Sequence, residues 1–211
     1  MSKYYKMENL PPNSDQSLFG KTRSRHRDGD REQLSELVNN FDENVLFYLD
    51  EKIINHLFDS IIFKNAQSYL RLRLNDYSAT TAPAYKAFEG FLFQLAKDLN
   101  LPSSGNVNFV GTYFDEEKVD KTIDSLIDEL EIKNNQIDKL SKEEKTHIKD
   151  MVNEMKRFLV NYRHTPAHFY GEIIDTPQKA EQNILSIYRI ISETVKILLK
   201  VGLLIIKDDL H

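Results

Sequence analysis

The segment Arg163-His164-Thr165-Pro166-Ala167-His168-Phe169-Tyr170 sets a guanidinium and an imidazole five residues apart on either side of a proline. Pro166 disfavours helical geometry at Thr165, so a helix carrying Tyr162 and Arg163 is expected to end there and Thr165-Pro166 to open a new turn. Arg163 then stands at a helix end and His168 in the first turn of the next segment, where free backbone N–H groups attract anions. Together they form a compact phosphate site, with Thr165 on its wall and His164 either lining it or facing solvent. Such a site supports metal-free phosphodiester cleavage. Arginine offers forked donors to the charge that builds on the phosphoryl oxygens, and histidine moves a proton near neutral pH. RNA carries its own nucleophile in the 2′-hydroxyl, so the expected products end in a 2′,3′-cyclic phosphate and a 5′-hydroxyl. The same spacing also arises by chance, and then these residues are only the polar part of an interhelical loop; the alternative function is a non-catalytic helical module that binds RNA, nucleotide or a partner protein through the same groove.

A helical frame must hold that corner, and the apolar periodicity supplies one. Between about residues 32 and 75, Leu34, Leu37, Val38, Phe41, Val45, Leu46 and Leu49, then Ile53, Leu57, Ile61, Ile62 and Tyr69, recur at three- and four-residue steps. This predicts two helices with a break near Asp50. The next helix is expected from Pro83 to Leu99, with Tyr85, Phe88, Leu92, Leu95 and Leu99 inward, until Asn100-Leu101-Pro102-Ser103-Ser104-Gly105 stops it. Val107, Phe109 and Val110 suggest a short extended piece within 106–113. Val119, Ile123, Leu126, Ile127 and Leu130 predict a highly charged, exposed helix over 116–134. Ser141-Lys142-Glu143-Glu144 is a capping box opening a helix through Ile148, Val152, Met155, Leu159 and Tyr162. A final helix opens at Thr176-Pro177 and runs through Ile184, Ile187, Tyr188, Ile191, Val195 and Leu198. With no repeats and no strand–helix alternation, the expected fold is an all-α bundle.

Residues 1–31 carry Pro11-Pro12, Gly20 and Gly29 and little periodicity, so they read as an irregular arm ahead of one helical domain, 32–211. Lys21, Arg23, Arg25 and Arg27 make the arm partly basic, either as a solvated leader or as an electrostatic hand on RNA phosphates. A charged helical insertion is expected near 115–145. The chain has 211 residues, 40% hydrophobic and 29% charged, as befits one well-buried globular core. It has no cysteine, which excludes disulfides, thiolate nucleophiles and thiolate-held zinc. Met1 to Leu10 lacks the apolar core of a signal or anchor. The longest apolar run, Val195–Ile206, is broken by Lys196 and Lys200 and falls short of the roughly 20 residues a membrane span needs. A cytoplasmic location is expected. A net charge of −5 argues against coating nucleic acid with a global basic field but leaves room for a local basic site. His26, His56 and His147 are scattered without metal-pair spacing, and no Gly-rich phosphate loop occurs, so neither metal nor cofactor is expected.

Arg163, His164 and His168 match the pattern of an arginine, a polar residue, three further residues and a histidine that marks the HEPN superfamily, and they sit late in a helical chain as that family's motif does. The sequence resembles that superfamily, which implies an up-and-down bundle of about four to six helices. It further implies an RNase that dimerises so that two motifs face one another in a composite site. A narrower likeness lies upstream. Asn75-Asp76-Tyr77 and, thirteen residues on from Asp76, Glu89 within Lys86-Ala87-Phe88-Glu89-Gly90-Phe91-Leu92 are similar to the C-terminal toxin domain of the RNase LS (RnlA) family. By that resemblance Asp76 and Glu89 join Arg163 and His168 as catalytic residues, and an antitoxin protein is the expected partner beside RNA. The resemblance covers roughly residues 44–204. The family's further N-terminal domains have no counterpart here, so substrate choice and antitoxin contacts are not carried over.

Glu89 also stands out on its own residues, because Tyr85, Leu92 and Phe93 place it on or beside the apolar stripe, where a carboxylate is costly without a partner. It either pairs with Arg163 or orients His168, or it reaches sideways to water. Asn75-Asp76 equally reads as a plain turn or helix cap. His168-Phe169-Tyr170 completes a longer form of the motif, similar to HEPN toxins whose antitoxin silences them by adding AMP to the tyrosine. Tyr170 is then either a modification site or a packing partner of Phe169.

Overall fold

The computed structural model describes residues 31–70, 73–101, 103, 105, 106, 110–114, 120, 121, 124, 128, 141–159 and 173–204. Among these the regular structure is entirely helical: α1 (Arg31–Asn40), α2 (Glu43–Tyr48), α3 (Glu51–Leu70), α4 (Ser78–Asp98), the single turn α5 (Gly111–Phe114), α6 (Lys142–Phe158) and α7 (Pro177–Lys200). The arm expected over residues 1–31 lies almost wholly outside the described residues. Of the charged insertion, Asp120, Lys121, Asp124 and Asp128 are described and are helical and exposed.

Helix α4 is the axis of the bundle and packs along α3 and α7, while α6 closes against α7. Its inner face is Ala84, Ala87, Phe88, Phe91, Leu92, Leu95 and Leu99, all buried, so a row of small residues interleaves with large ones. Gly90 serves the α3–α4 contact directly, since a Cβ there would stand 3.2 Å from Ile53 Cγ1. From α7 come Ile184, Ile187, Tyr188, Ile191, Val195 and Leu198, and from α6 Ile148, Val152 and Met155, with Leu159 just past its end, as the periodicity predicts; Tyr162, expected on the same face, lies outside the described residues. The caps follow the sequence too. Ser141 Oγ accepts from Glu144 N while Glu144 reaches back to Ser141 N, and Thr176 Oγ1 accepts from Lys179 N ahead of Pro177. Helix α7 ends where Gly202, at φ 75°, lets Leu203 N reach back to Leu198 O.

The structure departs from the sequence expectation at several points. The 32–75 stretch holds three helices, because Asp42 accepts from Asn44 N and starts a helix of its own. Helix α4 begins at Ser78, five residues before Pro83. Asp76 Oδ1 accepts from both Ser78 N and Ser78 Oγ, so a cap exists upstream that the proline signal hides. Of the residues expected inward, Val38, Ile62 and Tyr69 are exposed, Tyr69 by 88%. No strand appears among the described residues of 106–113, where Gly111 opens a helical turn. Replacing Phe91, fully buried between helices, by Ala should cost about 3–5 kcal/mol of folding free energy. Tyr69→Ala should stay within about 0.5 kcal/mol; urea unfolding of both variants measures the contrast.

Candidate active site

Arg163, His164, Thr165, His168 and Tyr170 lie outside the described residues, which stop at Leu159 and resume at Ile173. What the structure gives is the framework on both sides of them. On the upstream side, Phe158 at the end of α6 packs its ring against two rings of α4, Tyr85 at 6.1 Å and Phe88 at 5.1 Å between centroids. On the downstream side, Tyr77 N donates to Ile174 O at 2.8 Å. The Ile174 amide in turn donates to the Asp76 carboxylate, and Tyr77, Ile174 and Ala180 form a small apolar cluster. The described residues on both sides of 160–172 are therefore held against the N-terminal half of α4 and the turn that precedes it.

Asp76 and Glu89 occupy these two supports. Asp76 is exposed, and its carboxyl is held below the usual carboxylate range, first by the Ser78 hydroxyl and then by the Ser78 and Ile174 amides. Within the described structure it is thus a turn and cap residue, one of the two readings the sequence leaves open. Glu89 is half-buried, four residues after Tyr85 and next to Phe88, on the part of α4 that receives Phe158. The structure does not bring the two carboxylates together. Eleven residues of helix separate Ser78 from Glu89, roughly 16 Å along the axis, so Glu89 stands beside the chain where it leaves α6 and Asp76 where it comes back toward α7.

Beside Phe158 a groove of about 470 Å³ runs between α6 and α7, lined by Asn153, Arg157, Ser186 and Arg189 together with Asp150 and Glu154. Arg189 is tied to Glu154 and to Glu193, the latter at 3.1 Å, and these carboxylates stabilise its charged form. Among the described residues no group of three or more His, Asp or Glu could hold a metal ion, and no helix is long and apolar enough to cross a membrane. Sequence reasoning missed Phe158 and Ile174 as the supports. A signal for the second existed, since the apolar pair Ile173-Ile174 directly precedes the Asp-Thr-Pro start of α7 in the manner of a hydrophobic staple.

Residues 30–169, about two thirds of the chain, match the family described as RNase LS, bacterial toxin DBD domain. The chain belongs to that family. The matched stretch takes in Asp76, Glu89, Arg163, His164, Thr165 and His168 and ends one residue before Tyr170. Comparisons with curated proteins and with solved structures found no match. For this RNase LS-type chain, Asp76→Ala should cost about 1 kcal/mol at neutral pH, the worth of a cap. Because the folded carboxyl titrates below its ordinary value, that contribution is present above about pH 4 and fades as the pH falls through the depressed value. Urea midpoints of wild type and variant should therefore converge in acid; a gap that stays constant down to about pH 2.5 would reject the carboxylate's part in the cap.

Proposed function

We propose that the chain is a metal-independent endoribonuclease toxin of the HEPN type. Arg163 stabilises the charge on the scissile phosphate, and His168 transfers the proton as the 2′-hydroxyl attacks. Membership of the RNase LS family supports the toxin part of this reading and makes an antitoxin the natural protein partner. The observation that supports this reading is the anchoring of the described residues that flank the motif, Phe158 on Tyr85 and Phe88 on one side and Ile174 on Tyr77 on the other. Catalytic groups need fixed placement as much as chemical aptitude, and the described residues on either side of the motif, Phe158 and Ile174, are both held against α4 and the turn before it. In this arrangement Glu89 orients His168 or pairs with Arg163 from the α4 side. Asp76 acts as a positioning residue that fixes where the chain turns back toward α7. His164 and Thr165 line the phosphate, and two copies meet around a two-fold axis so that each motif faces its mate.

Incubation with total RNA in EDTA tests the proposal. Wild type should release fragments ending in 2′,3′-cyclic phosphate, and His168→Ala and Arg163→Ala should each be slower by about 100- to 10,000-fold. Glu89→Gln should reduce the rate while leaving the thermal midpoint within a few degrees. Equal behaviour of wild type and both motif variants, or activity only with added divalent metal, would refute the mechanism.

A further inference from the structure

Helix α3 is apolar on two opposite sides along its C-terminal half. One side, with Ile54, Leu57, Phe58 and Ile61, is buried in the core. On the other, Ile62, Phe63, Ala66, Tyr69 and Leu70 stand at one-, three- and four-residue spacings and so form a single stripe along the helix. All five are exposed, Phe63 by 50%, Leu70 by 61% and Tyr69 by 88%. The pair Ile62-Phe63 recurs seven residues on as Tyr69-Leu70, the spacing by which one helix packs along another. The stripe has charged ends. Asp59, also exposed, precedes it, and the exposed Arg73 follows just past the end of the helix.

At roughly 150–250 Å² for a large aromatic side chain, these fractions leave on the order of 500 Å² of the stripe open, at the upper end of the apolar patches that monomers carry. A stable complex of ordinary size buries roughly 800 Å² on each partner, so the stripe with its charged ends supplies most of one half of such an interface. A lipid surface is a poor occupant, because one end of the stripe carries a carboxylate and the chain as a whole has a net charge of −5.

We infer that this face docks a second copy of the chain, α3 against α3 in antiparallel register, about a two-fold axis beside Ala66. The inference deepens the ribonuclease reading above and rests on it only for the expectation that two copies meet. Residues equally far before and after Ala66 face one another in that register. Ile62 then meets the mate's Leu70, and Phe63 meets the mate's Tyr69 as an aromatic pair. At the crossing Ala66 meets its own copy, and so small a side chain lets two helix axes come as near as about 8 Å. Asp59 and Arg73 each lie seven residues from Ala66, so the carboxylate of one copy faces the guanidinium of the other at both ends. Parallel helices would set Asp59 against Asp59 and Arg73 against Arg73. Exposed pairs of this kind add little affinity but fix orientation.

Sedimentation of the full chain over a range of concentrations tests the face. Wild type should be dimeric by about 100 μM, and Leu70→Glu should weaken the dimer by about 30-fold or more. Asp59→Arg and Arg73→Asp should each weaken it by about 3- to 30-fold, and the double variant should recover, since only together do they restore opposite charges. These exchanges lie on the surface, so they keep the test open if Leu70→Glu fails to fold. The chain has no cysteine of its own, so single introduced thiols read the register directly. Ala66→Cys should cross-link to its mate on mild oxidation, whereas Asp59→Cys should not, its copies standing roughly 20 Å apart along the helices. The small stability effect of Tyr69→Ala belongs to the dilute monomer; where the dimer forms, its unfolding midpoint should fall below that of wild type. A wild type that stays monomeric, and so keeps the stripe for a different protein, overturns the inference, as does a dimer indifferent to Leu70→Glu or one that cross-links through Asp59→Cys. RNA cleavage is read separately on the same samples: a dimer that cleaves nothing sustains the face and sinks the nuclease, and a monomer that cleaves does the reverse.

Discussion

The hydrogen bond from Tyr77 N to Ile174 O joins two stretches nearly a hundred residues apart and fixes the approach to α7 against the turn that opens α4. It closes a junction in which the backbone of the turn is tied to its own side chains. Asp76 accepts from the Ser78 amide and hydroxyl and from the Ile174 amide, and the Tyr77 hydroxyl accepts from Leu74 N at 3.1 Å. Opening this turn would give up the backbone bond between Tyr77 and Ile174 and uncover the small apolar cluster that they form with Ala180. The junction and the Phe158 contact are separated by eight to eleven residues of chain, mostly helical, roughly 12–16 Å of rise. One rigid helix thus sets the spacing between the two anchors, and side-chain adjustment cannot change it.

That rigidity is secured at the other end of α4 by polar groups acting on the backbone of neighbouring helices. Gln94 donates to Tyr48 O at 2.7 Å and accepts from Asp50 N at 2.9 Å, satisfying the carbonyl and amide left open where α2 breaks into α3. Tyr48 in turn donates its hydroxyl to Asp98 at 3.1 Å; burial, then the negative charge of Asp98, pushes that hydroxyl well above the usual tyrosine range and keeps it a donor. Across the core, Tyr188 of α7 meets Ser60 of α3. The same helix that carries Glu89 therefore packs, caps and clamps, and a substitution on its inner face would disturb the candidate site through position alone.

Much of this was legible in the sequence, and what escaped it shares a physical cause. The cores of α6 and α7 and their Ser141 and Thr176 caps follow from local rules, periodicity and capping, which the chain obeys without interference. Tyr69 and Ile62 mislead because periodicity reports that a stripe is apolar and not whether a neighbour covers it. At the start of α4 two local signals compete, Pro83 and the Asp76–Ser78 turn, and the helix uses the second although the first is the stronger mark in the sequence. At the site, the motif and the marginal position of Glu89 were readable as residue types. The supports were not, since Phe158 looks like one more core residue until Tyr85 and Phe88 are seen facing it.

An acidic chain sharpens the question of how RNA is held. Several of the cations near the helices are already committed, Lys64 to Glu36, Lys179 to Asp175 and Arg189 to Glu154 and Glu193, so they add little to a long-range field. Those paired cations contribute little to the counterion release that drives nonspecific binding to a polyanion. On the proposed reading, short-range contacts then weigh most, the Arg163 fork on one phosphate first among them, because a fork fixes the angle as well as the distance at which a phosphate is held.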